Sequence, residues 1–182
     1  MTYYDGRNLA AAFRTVRKNT MQIGEEIPED KYGFRPSKDS RSVGQTLTHI
    51  AFGPTFQMEV HSNHVDDLTK VDFDGITRRL QAEEAKPRTK AEVLALLSAE
   101  GDRFASYLES LSEPFLAEPV RMPPGATPAT KSRFEMLLSP KEHEMHHRAQ
   151  LMVAQRMLGL VPHLTRQREE RMAARAKAET QK

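Results

Sequence analysis

The 182-residue chain contains no cysteine and no tryptophan. Without thiols it can form no disulfide, no thiolate zinc site, no cysteine-ligated iron–sulfur cluster and no cysteine nucleophile. Any metal must be held by histidine, aspartate or glutamate, and seven histidines are present. Long hydrophobic runs are also missing. The charge-free stretch Leu47 to Met58 is far too short to cross a bilayer, so no membrane partner is expected. The first residues, Met1-Thr2-Tyr3-Tyr4-Asp5, lack a basic region followed by an apolar run. They read as no secretory signal, and the cytoplasm is the expected location. There is no glycine-rich phosphate loop, no G-x-S-x-G elbow, no internal repeat and no alternating run long enough to read as a strand.

What the chain does have is 38% hydrophobic and 29% charged residues. That balance suits a soluble globular chain long enough for one domain with a real core. The net charge of +2 is uneven along it. Residues 161–182 carry six Lys/Arg against three Glu, leaving 21 against 22 in residues 1–160. A near-neutral body without interleaved basic and aromatic residues argues against a nucleic-acid partner.

Four helical segments are predicted. The first runs from about Tyr3 to Gly24, with Leu9, Phe13, Val16, Thr20 and Ile23 on one face. The second begins at Ser42, where Ser42-Val43-Gly44-Gln45 has the form of a capping box, and reaches about His64. Pro54 removes an amide inside it and predicts a kink. Residues 66–86 show no sustained period and read as loop. Thr89-Lys90-Ala91-Glu92 opens a third helix, whose core face is Val93, Leu97, Phe104, Leu108 and Leu111. Five prolines between Pro114 and Pro128 predict a stiff, irregular connection. The fourth helix spans about Lys131 to Leu158, stopped by Gly159 and Pro162. The expected architecture is all-α, a four-helix bundle over residues 1–162 with a kinked second helix. A charged tail, helical or disordered, follows over residues 163–182.

The segment with most chemical content is Lys141-Glu142-His143-Glu144-Met145-His146-His147-Arg148. Residues four apart share a helix face, so His143 and His147 point the same way. Met136, Pro140 and Ala154 share their stripe, which turns it toward the bundle interior. Two converging imidazoles on such a face suit a divalent transition metal. A third ligand is expected from helix two, with His49 the first candidate and His61 the second. His64, His146 and His163 read as solvated or structural. The same segment fits H-E-x-x-H, the zinc-peptidase pattern, with Glu144 as the prospective base. Its extended form fails, because Gln150 and Val153 stand where the downstream glycine and histidine should be. Glu144 therefore reads either as a partner to a ligand or, by preference, as a solvated helix charge.

Two blocks carry a family resemblance. One is Ile27 to Pro36 followed by Ser42 to Ala51. The other is His143-Glu144-Met145-His146-His147-Arg148-Ala149-Gln150-Leu151 followed by Leu158 to Pro162. In order and separation they resemble DinB-like proteins over roughly residues 3–162. The resemblance implies a four-helix bundle with one histidine from helix two and two from helix four on a divalent metal. These map onto His49, His143 and His147. Zinc or nickel is the implied metal, a low-molecular-weight thiol a possible co-substrate, a small molecule the substrate and a homodimer the assembly. Ala149 stands where the family often has glycine, and Pro140 lies one turn before His143, where it is expected to change how the pair is aimed.

The functional expectation is a metal-dependent enzyme, leaning to an S-transferase, that activates a thiol or water for transfer to a small electrophile. Its alternatives are a non-catalytic, stress-associated metal- or ligand-binding bundle and, third, an H-E-x-x-H zinc peptidase.

Overall fold

A computed structural model describes residues 4–180. Tyr3, where the first helix is expected to start, and residues 181–182 of the tail lie outside the described residues. Among the described residues the regular structure is helical apart from one small hairpin. Its elements are α1 (Gly6–Glu26), α2 (Val43–Phe52), α3 (Thr55–Ser62), α4 (Phe73–Ala85), α5 (Lys90–Glu109), α6 (Glu113–Ala117), β1 (Pro119–Arg121), β2 (Thr130–Ser132), α7 (Arg133–Met157) and α8 (His163–Thr180). The bundle proper is α1, the α2–α3 pair, α5 and α7. Within it α1 packs on α5 and α7, and α2 packs on the same two helices from the other side.

Helix starts are set by side-chain caps that satisfy amides with no partner inside the helix. Ser42 with Gln45, Thr89 with Glu92 and Ser132 with Glu135 form reciprocal capping boxes at α2, α5 and α7, and Asp5 with Asn8 does the same for α1. α7 stops in a Schellman turn, in which Leu160 N–H donates to Gln155 O and Gly159 N–H to Arg156 O. Gly159 sits at φ +78°, a left-handed conformation glycine adopts without a Cβ penalty.

The two internal prolines behave differently. At Gly53-Pro54 the second helix breaks into α2 and α3, and Gly53 N–H donates back to Ile50 O. Pro140, in contrast, lies within an unbroken α7.

Two segments differ from expectation. Residues 73–85, read as loop, form α4. The helix is capped by Asp72, whose side chain accepts from Gly75 N–H, and it buries only Ile76, too little to print a period on the sequence. The proline-rich connection holds α6 and an antiparallel hairpin pairing Pro119 with Ser132, Val120 with Lys131 and Arg121 with Thr130. Strands of three residues are too short to show alternation. The tail is helical as α8, and its side chains are mostly exposed.

A small apolar cluster of Val60, Leu68, Val120 and Met136 joins the hairpin to α3 and α7, and two larger clusters fill the rest of the bundle. One is built around Ile23, Leu47, Ile50, Leu97 and Leu151, the other around Leu9, Phe13, Phe104, Leu108 and Leu137. The rings of Phe13 and Phe104 meet edge to face at 4.9 Å. Between the clusters, on three helices at once, lie Arg17 (α1), Gly101 (α5) and Glu144 (α7). Arg17 is 6% exposed and Glu144 1%. The guanidinium donates to the Glu144 carboxylate through Nε (3.1 Å) and Nη2 (3.0 Å), to Leu97 O through Nη1 (2.5 Å) and to Ile50 O through Nη2 (3.3 Å). A Cβ on Gly101 would lie 2.9 Å from Nη1, so the missing side chain makes room for the charge. Glu144 is thus a buried ion-pair partner, correcting its reading as a solvated helix charge.

Candidate metal centre

The break at Gly53-Pro54 and the long α7 together place His49, His143 and His147 side by side. His49 comes from the last turn of α2, and the pair comes from one face of α7. His143 Nε2 lies 3.0 Å from His49 Nε2 and 3.1 Å from His147 Nε2. One ring nitrogen from each of the three falls within 4.8 Å of the others. Ring centroids are 4.5–4.8 Å apart.

The outer nitrogens explain why the inner ones converge. Glu84, from α4, accepts from His49 Nδ1, and Arg41 Nε holds the same carboxylate at 2.9 Å. Gln150 donates through its amide nitrogen to His146 Nε2 (3.1 Å), which turns its Oε1 to His147 Nδ1 at 2.8 Å. With the Nδ1 protons held by the Glu84 and Gln150 oxygens, the Nε2 atoms of His49 and His147 are the ones left to present lone pairs. These two lone pairs face His143 Nε2, where one N–H can satisfy only one of them. Three ring nitrogens converge with too few protons between them, an arrangement that a cation relieves. The two separations from His143 are close to the roughly 3.3 Å edge of a tetrahedron built with 2.0–2.1 Å metal–nitrogen bonds, and the third lies within 4.8 Å. Carboxylate and amide partners on the outer nitrogens are the usual means of orienting metal-binding imidazoles.

His143 carries a second mark of a built site. Its Nδ1 is buried with no partner, and a Cβ on Gly53 would lie 2.9 Å from it. Gly53 leaves the space into which the ring fits. Burial, reinforced by the charges of the neighbouring imidazoles and of Arg41, pushes the His143 pKa down to about 4. Burial likewise lowers that of His147, against the opposing hydrogen bond that its Nδ1 donates to Gln150 Oε1. Both rings are neutral near pH 7, the form that binds a metal. Burial pushes the Glu84 carboxyl up, but its bonds to His49 and Arg41 together outweigh that and hold it below its ordinary value.

The remaining sequence candidates are elsewhere. His61 is fully buried on α3, where Arg133 Nη1 donates to its Nδ1 (3.1 Å) and its Nε2 donates to Gln57 Oε1 (3.0 Å). It does not join the triad. Glu144 follows His143 in sequence, but its carboxylate is engaged by Arg17 within the bundle, so the peptidase pattern lacks its base. Glu84 was not legible in the sequence. It sits on the unpredicted helix, 35 residues from His49, and no local spacing signals it.

His61 gives a pH prediction. Burial first, then the Arg133 charge, push its folded pKa down to about 4 from the model-peptide 6.5. As pH falls below 6.5 the unfolded chain takes up this proton first, so its contribution weakens the fold progressively between pH 6.5 and 4, by about 3 kcal/mol in all. Urea denaturation at pH 7, 5.5 and 4.5 should show this slope. His61→Gln should lower the pH 7 value yet remove this part of the decline, and an unchanged slope in the variant would refute the assignment.

A helical bundle with a three-histidine pocket between its second and last core helices defines the class of protein. Residues 12–151 match the family model described as the DinB superfamily, and the chain belongs to that superfamily. It is 25% identical over 151 residues to the uncharacterized protein YjoA of Bacillus subtilis, spanning 83% of this chain and 89% of that one. The DinB-like crystal structure of YjoA matches with a TM-score of 0.61 at 20% identity, over 83% of this chain and 92% of that one. A second B. subtilis structure, YfiT, matches with a TM-score of 0.65 at 15% identity, over 88% and 91% of the two chains. YfiT is described as a probable metal-dependent hydrolase with an unusual four-helix bundle topology. Among the described residues, no helix is long and apolar enough to cross a membrane.

Proposed function

We propose that the protein is a metal-dependent enzyme that holds a divalent ion, zinc or nickel, on His49, His143 and His147 and transfers water or a low-molecular-weight thiol to a small electrophile. The observation that carries this is the convergence of three Nε2 atoms whose Nδ1 partners, where present, are acceptors. Three protein ligands leave coordination positions open, as catalytic rather than structural sites do. A bound divalent ion there supplies Lewis acidity, which lowers the pKa of a coordinated water or thiol. The chain's own contribution is to fix the tautomer that presents Nε2, at His49 through Glu84 and at His147 through Gln150. It also provides a cleft of about 610 Å³ beside them, lined in part by His147, Gln150, Thr46 and Arg41, a size that suits a small molecule. The description of YfiT as a probable hydrolase supports the water branch. The absence of any protein cysteine is consistent with a thiol supplied from outside.

The test is metal content of the purified full chain by mass spectrometry, followed by assays with zinc or nickel present. Electrophilic substrates would be offered with and without bacillithiol, mycothiol or glutathione. About one ion per chain with turnover requiring it is the expected result. A chain that neither retains nor takes up zinc or nickel would overturn the proposal, and one that binds metal without any turnover would favour the non-catalytic bundle.

A further inference from the structure

The cleft beside the triad has a polarity that the metal does not explain. Among the residues lining it Arg41 is the one cation, and its guanidinium uses only Nε on Glu84. The side chain is 44% exposed, so the Nη ends of the fork remain accessible. Val43, Leu151 and Ala154 supply an apolar wall, and His147 with Gln150 forms the wall on the metal side. Arg41 also immediately precedes the α2 cap, yet the helix start offers no anion cradle. Val43 N–H donates to Phe34 O, Gly44 N–H to Tyr32 O and Gln45 N–H to Ser42 Oγ.

We infer that Arg41 is a specificity-determining residue and that the ligand of this cleft is a small carboxylate with a short apolar body. A single guanidinium fork with no backbone N–H groups beside it matches the two oxygens of a carboxylate better than a phosphate, which usually recruits such a nest. The apolar body would lie on Val43, Leu151 and Ala154, with the reacting end toward His147. The inference rests on the proposed metal site for the placement of that reacting end, but not for the Arg41 contact. Asp39 also lines the cleft and opposes an anion. A doubly charged ion on the triad and Arg41 together outweigh Asp39 and Glu84 by one positive charge.

The test uses 3-mercaptopropionate and its neutral amide, titrated into the full chain loaded with cobalt(II) and followed by thiolate-to-cobalt absorption. Wild type should bind the acid at least about tenfold more tightly than the amide. Arg41→Met should bring the acid-to-amide affinity ratio close to one, whatever its effect on either affinity alone, and Arg41→Lys should restore part of the preference. The acid-to-amide ratio is an internal control for any effect of Arg41 on Glu84 and the metal. Equal binding of acid and amide by wild type, or a preference that survives in Arg41→Met, would overturn the inference while leaving the metal site standing. If no cobalt binds, the metal reading fails. The same two compounds are then titrated into the metal-free chain by calorimetry, where an acid preference lost in Arg41→Met sustains the Arg41 assignment and its absence overturns it.

Discussion

Arg17→Met is expected to cost about 3–5 kcal/mol of folding stability, and Glu144→Leu a similar amount. Either change leaves one charged group buried in the middle of the bundle without its partner, so its desolvation is no longer offset. Arg17 touches all three other core helices: Glu144 on α7, Leu97 O on α5 and Ile50 O on α2. The double variant Arg17→Met/Glu144→Leu should recover most of the loss, because removing both charges leaves only helix carbonyls behind. Apolar replacement of an entire buried pair is often close to neutral. A double-mutant cycle read by urea denaturation measures the coupling directly. Single variants costing under about 1 kcal/mol would show that the layer is solvated and does not hold the helices together.

The same layer shows what kind of information the sequence carried. Helix starts were readable because Ser42/Gln45 and Thr89/Glu92 are local pairs three residues apart. The apolar stripes were readable because burial repeats every helical turn. The pairing of His143 with His147 followed from the same spacing, whereas the residues of helix two left both His49 and His61 open as the third ligand and the family resemblance pointed to His49. Glu84 could not be read in this way. Its helix buries one residue, and its contact to His49 is set by tertiary packing. The β1–β2 hairpin has strands too short to leave a pattern. Arg17 is an intermediate case. It stands four residues after Phe13 on the core face of α1, as Glu144 stands four after Pro140 on α7 and Gly101 four after Leu97 on α5. Opposite charges at core positions on two helices, with a glycine on the third, are a signal available in the sequence. The preference for Glu144 as a solvated helix charge passed that signal over.

At the metal centre the expected effects grade with distance from the ion, and that grading tests the assignment. Wild type titrated with zinc should bind about one equivalent per chain, and His147→Ala should lose stoichiometric binding, because two imidazoles from different helices are left. Glu84→Gln keeps an acceptor oxygen within reach of His49 Nδ1 but removes its charge, so affinity should fall about tenfold to a hundredfold. Gly53→Ala separates the site from the fold. The backbone there is α-helical, at φ −49° and ψ −39°, where alanine's better helical preference is offset by the Pro54 ring, which crowds a Cβ on the preceding residue. The alanine Cβ would lie 2.9 Å from His143 Nδ1 and must turn that ring away. Zinc affinity should therefore drop about tenfold or more while denaturation in the absence of metal shows little loss. Competition titration with a chelator gives the affinities, and urea denaturation of the same samples gives the stability. Wild-type affinity in Gly53→Ala would mean that His143 is not seated against Gly53 when the metal binds. The ligand set would then need another donor in its place.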